Sequence, residues 1–124
     1  MIEKAGGYFV NGMQGIGLEK DGILQVGIVY EACTGRNGSI LMHSRCDNPR
    51  ATNRSFYWTI FWYPFVQLGV RRCTLLVNAN NERALKLNDK LGFTRETILK
   101  DYFPDGDAII FRMYKHECRF LTYK

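Results

Sequence analysis

The chain has 124 residues, 46% of them hydrophobic and 23% charged, with a formal net charge of +5. That balance suits one globular domain able to bury roughly two-thirds of its extended-chain surface, and it excludes a disordered tail or a repeat array. The longest apolar run, Phe56 to Val66, is far short of the roughly 20 residues that cross a bilayer, and Met1 to Gly7 lacks the apolar core of a secretory signal. No membrane partner and a cytoplasmic location are therefore expected.

In chain order, Gln14 to Lys20, Gly22 to Ala32 and Ser39 to Asp47 read as three antiparallel strands, with turns at Asp21-Gly22 and Thr34 to Gly38. Thr52 to Leu68 follows as a helix, apolar nearly all round, which Pro64 should kink or shorten and Gly69 should end. Its aromatics read as core, with part of that surface available to a subunit interface. Val70 to Asn78 is a β-rich apolar run. Thr94 to Phe103 and Asp107 to Cys118 close the chain as a hairpin about Pro104-Asp105-Gly106.

The best punctuated segment is Asn81 to Phe93. Asn80 or Asn81 can accept from a first-turn amide, Glu82 suits the positive end of the helix dipole, and Ala84, Leu87 and Leu91 recur at helical spacing. Gly92 stops the helix, because glycine takes up the left-handed C′ conformation without steric cost, and Phe93 can fold back on Leu87.

The four cysteines, Cys33, Cys46, Cys73 and Cys118, have no metal-ligand spacing and read as buried small hydrophobes, so no metal is expected. A pI near 9.1 admits an anionic partner. Lys and Arg are scattered, which argues against nucleic acid, although Arg45, Arg50 and Arg54 with Arg71 and Arg72 stand out as a group.

The unit around Asn81, Ala84, Lys90, Gly92 and Phe93 resembles the C-terminal half of the GNAT-type N-acetyltransferases, where a strand ending in Asn precedes a helix of pattern N-x-x-A-x-x-x-Y-x-K-x-G-F. Asn88 stands where that pattern has Tyr, a departure also found in the ribosomal-protein-alanine acetyltransferase-like branch. The resemblance implies an α+β fold of order β-β-β-α-β-α-β-β over about residues 13 to 118, lacking the family's usual first strand and two helices.

The resemblance further implies acetyl-CoA as co-substrate and an amine as acceptor. The family's pyrophosphate loop, [Q/R]-x-x-G-x-[G/A], falls on Arg50, Ala51, Thr52, Asn53, Arg54 and Ser55, reached from Cys46 and Asp47. Asn53, which tolerates positive φ, replaces the first glycine and Ser55 the small last residue. Thr52 or Asn53 can equally cap the helix. Asn81 corresponds to the Asn that reaches the pantetheine arm, besides serving as an N-cap.

The family's basic Glu falls near Ser39, and His43 lies four residues on along the same face of the strand. His43 is thus a candidate base and equally a half-buried strand histidine. Glu31 is a second candidate base, and Asn88 a hydrogen-bond donor to the thiolate. The expected activity is acetyl transfer from acetyl-CoA to a primary amine, with a non-catalytic GNAT-like structural or interaction module as the alternative. A homodimer is expected, covering the sheet edge and apolar surface that the absent helices would leave bare.

Overall fold

The computed structural model describes residues 14–46 and 52–122. Its elements run β1 (Gln14–Lys20), β2 (Ile23–Glu31), β3 (Ser39–Cys46), α1 (Arg54–Trp62), a π-helical turn (Tyr63–Gln67), β4 (Arg72–Asn78), α2 (Glu82–Leu91), β5 (Thr94–Phe103) and β6 (Gly106–Tyr114). A 3-10 turn (Lys115–Glu117) and a short α3 (Arg119–Thr122) follow. The strands form one six-stranded sheet of order β1-β2-β3-β4-β6-β5. Neighbouring strands are antiparallel except β3 and β4, which are parallel and joined across α1. This mixed α+β fold has the expected element order.

Period-two alternation divides the sheet into two faces. Val26, Ile28, Tyr30, Ile40, Met42, Cys73, Leu75, Phe111 and Met113 are buried on one face, under α1 and α2. Val29, Glu31, Ser39, Leu41, His43, Arg72, Thr74 and Arg112 point to the other and are half-buried or exposed.

The helices reach that core through aromatics. Phe61 stacks on Phe65 and Phe120, and Phe93 packs on Phe61 and edge-on against Phe111. Burial on α1 is one-sided, because Trp58 is exposed and stacks on Trp62. On α2 the buried residues are Leu85, Asn88 and Leu91, a stripe rotated one position from the expected Ala84 and Leu87. The expected caps hold: Asn81 Oδ1 accepts from Ala84 N at 3.2 Å, and Gly92 sits at φ +108°.

Two boundaries differ from expectation. The last strand stops at Tyr114 instead of running to Cys118, since Lys115, His116 and Glu117 break the alternation and the chain turns to bury Cys118 and Phe120. Cys33 is exposed, unlike the buried Cys73 and Cys118. At the far edge, β5 pairs irregularly with β6, with two register shifts and Asp101 at φ +53°, whose amide donates to Asp107 Oδ1.

Pro64 has a more specific effect than a kink. It has no N–H to give the carbonyl of Ile60 four residues before it. The chain widens there into the π-helical turn, in which Leu68 N donates to Tyr63 O at 2.9 Å, and the buried Tyr30 hydroxyl on β2 donates to Ile60 O at 2.5 Å. Burial pushes the Tyr30 phenol well above its ordinary pKa, which keeps it a donor. Tyr30→Phe should lower stability by about 1–3 kcal/mol, the cost of a buried polar group left unpaired. Urea unfolding measures this, and an unchanged midpoint would show that the bond contributes nothing.

Candidate active site

β3 and β4 pair only from Ser39↔Arg72 to Met42↔Leu75. Beyond that point β3 continues to Cys46 and β4 to Asn78 without pairing to each other, so the sheet opens between them. Under the opening, on the helix face, lies a cavity of about 40 Å³ lined in part by Met42, Ser44, Thr52, Leu75 and Asn88. Asn88, at 6% exposure, is the buried polar side chain of the described core. It comes from the face of α2 that Leu85 and Leu91 pin to the sheet.

His43 stands on the opposite face of the same opening. Register places Val29 across from His43 and Leu41 across from Glu31, so His43 and Glu31 are diagonal neighbours on the open face. Their side chains meet, His43 Nε2 lying 2.5 Å from Glu31 Oε2, both partly exposed. A neutral imidazole in this contact carries its proton on Nε2, which leaves Nδ1 as the basic nitrogen. Two residues singled out separately in the sequence thus form one pair.

The remaining candidates are distributed as follows. Asp47, Arg50 and Ala51 lie outside the described residues, and Cys46 is the last residue of β3. Thr52 lines the small cavity. Asn53 is the N-cap of α1, with φ −153° and ψ 178°, and its Oδ1 accepts from Phe56 N at 2.8 Å. Its backbone is therefore extended, and the positive φ for which Asn would replace glycine is not used. Arg54 has its guanidinium over the Phe120 ring at 5.9 Å, and Ser55 O accepts from Thr59 Oγ1 at 3.0 Å. The first turn of α1 contains no acidic residue, so nothing there opposes the attraction of an anion to its amides. Asn81 uses its side-chain oxygen for the α2 cap.

Arg54 does not form one group with Arg71 and Arg72. Arg54 starts α1 beside the opening, whereas Arg71 and Arg72 lie at the beginning of β4, at the other end of the strands. Arg72 chelates Glu96 through Nη1 and Nη2, and Arg112 Nε lies 3.5 Å from the same carboxylate. Sequence reading missed this network, since Glu96 is 24 residues from Arg72 and meets it only through sheet pairing. It missed Ser44 too, although two-residue alternation from Met42 would have found it.

No family model matches this sequence, and no curated protein matches it. Solved structures do. One is a variant of the spermidine N-acetyltransferase SpeG from Vibrio cholerae, with TM-score 0.71 and 17% identity over 90% of this chain and 69% of that one. Another is a GNAT-family acetyltransferase from Bacillus anthracis, with TM-score 0.64 and 18% identity over 83% and 67%. The fold is that of the GNAT acetyltransferases. A protein designated an acetyltransferase from T. thermophilus matches with TM-score 0.70 and 21% identity over 87% of this chain, which spans 62% of that protein's length.

The Glu96 carboxyl is held below its ordinary pKa, first by the Arg72 hydrogen bond and then by the positive charge of Arg72 and Arg112. The folded state thus binds this proton less readily than the unfolded chain. The contribution to stability is complete above the ordinary carboxylate range and is lost as pH falls through the lowered folded value. Glu96→Gln should accordingly reduce the urea midpoint at neutral pH, with the gap to the parent closing as the acid limb is descended. A gap independent of pH would show that the effect is steric.

Proposed function

We propose that this chain is an acetyl-CoA-dependent N-acetyltransferase acting on a primary amine. The observation that carries the reading is the opening between β3 and β4, which has the His43–Glu31 pair on one face and the buried Asn88 on the other. A thioester lying in that opening would meet both. The pyrophosphate would sit at the start of α1, against Thr52, Asn53, Arg54 and Ser55, with Asn81 flanking the pantetheine arm. The amine would approach on the open face, where His43 accepts its proton and Glu31 holds the imidazole. The nitrogen attacks the thioester carbon, the C–S bond breaks, and the Asn88 amide donates to the sulfur that leaves. Most of the rate would come from holding the two reactants together.

A non-catalytic GNAT-like module is the second reading, and the extended backbone of Asn53 favours it, since at that position the chain does not take up the positive φ for which the family's loop uses glycine. Isothermal titration with acetyl-CoA and thiol release over an amine panel that includes spermidine separate the two. Binding with turnover is expected, whereas no binding at millimolar acetyl-CoA would sink the enzyme reading and binding without turnover would favour the module. If His43 is the base, His43→Gln should lower kcat by about 10²–10⁴-fold and leave the KM for acetyl-CoA nearly unchanged. A KM effect alone would remove His43 from the chemistry.

The chain is further proposed to form a homodimer through the outer side of α1, where the Trp58–Trp62 stack presents apolar surface to solvent. Sedimentation equilibrium at micromolar concentration should give the dimer mass, and Trp58→Glu the monomer. A monomeric parent would refute it.

A further inference from the structure

The opposite end of the sheet, where β3 and β4 begin, carries an open concavity of about 990 Å³. It lies roughly 23 Å along β3 from the opening-side end of that strand, at about 3.3 Å per residue. Its wall contains Arg71, Arg72, Lys115 and His116 and, among the described residues, no carboxylate. Arg72 is neutralised by Glu96. Arg71 and Lys115 have no carboxylate partner among the described residues.

The backbone sets the two residues that carry these cations beside each other. Arg72 pairs with Tyr114 in the sheet, so Arg71 and Lys115 are the next cross-strand neighbours, and Lys115 N donates to Arg71 O at 2.9 Å. Arg71 Nε donates to Asn37 O at 2.8 Å, which orients the guanidinium and leaves its Nη groups out of that bond, and Arg71 lines the concavity. Asn37 is itself tied down, its amide donating to Gly69 O at 2.7 Å. Like charges held together in this way repel unless an anion lies between them. Apolar and aromatic groups complete the wall: Val66 and Leu121 line it, and His116 stacks on Tyr114 at 5.9 Å with rings 5° from parallel.

We propose that this concavity binds a small organic phosphate. The phosphate lies between Arg71 and Lys115, with the guanidinium fork on two of its oxygens, and the apolar or aromatic body rests on Val66, Leu121 and the His116 ring. The site is separate from the proposed acetyl-transfer site and does not depend on it.

Isothermal titration and amide NMR with two probes, inorganic phosphate and phenyl phosphate, test the assignment. Phenyl phosphate should bind at least tenfold more tightly than inorganic phosphate and shift the amides of Asn37, Gly38, Arg71 and Lys115. The double variant Arg71→Gln/Lys115→Gln should lose at least tenfold in affinity, and Lys100→Gln, on the exposed edge strand β5 and outside both proposed sites, should lose none. Lys115→Gln alone, at an exposed position, keeps the test intact if the double variant is unfolded, and should lose at least threefold. Equal affinity for the two probes, full affinity in the Lys115 variant, or a loss shared by Lys100→Gln would overturn the proposal.

Discussion

The position of α1 on the sheet depends on one carbonyl. Ile60 O is denied its helical donor by Pro64, and Tyr30, 30 residues earlier in the chain, supplies one from β2. The bond locks the middle of the helix to the strand beside β3. Everything α1 carries is thereby set in place: the Asn53 cap beside the sheet opening, Phe61 and Phe65 in the core, and Val66 at the far concavity. Helix ends fray and adapt, but a mid-helix carbonyl buried without a partner cannot be left so. The aromatic packing then fills around a fixed point.

The sheet opening has a similarly local origin. Parallel pairing lasts from Ser39↔Arg72 to Met42↔Leu75. Past it, β3 stays with β2 through Cys46↔Val26, and β4 stays with β6 through Asn78↔Ala108. Each strand follows its antiparallel partner, and the accumulated right-handed twist separates them. An opening made in this way passes through the sheet instead of lying on it. A bound group is therefore reached from both faces, by residues whose side chains never meet each other.

Much of this was legible in the sequence, and the reasons differ by element. The α2 caps were read correctly because Asn81 and Gly92 act through their own backbone geometry, which depends on neighbours within four residues. His43 was placed on the face of Ser39 because alternation along a strand is fixed. Its contact with Glu31 was not, since that needs the register of β2 on β3. The burial of Asn88 was missed for a related reason. The apolar spacing of α2 fits stripes one position apart, and only the packed sheet chooses between Leu87 and Asn88. Arg54 and Arg71 looked like one cluster because sequence distance does not show that α1 carries the chain back along the strands, separating the two by the length of the sheet. Of the two readings of Asn53, the helix cap holds, because its side chain takes a role that needs extended backbone, and the positive φ that would replace glycine is not used.

The irregular pairing of β5 bears on how molecules of this chain meet one another. β5 is an outermost strand, and its outward row of amides and carbonyls would ordinarily accept another strand. Two register shifts and the left-handed Asp101 break that row into pieces too short and too bent for a continuous ladder, and Arg95, Glu96 and Lys100 add charge along it. A fibril seed or a swapped strand gains little there. Strand-to-strand aggregation of this fold is thus blocked at the β5 border by geometry built into the strand, so that a crowded solution has one fewer route out of the native state.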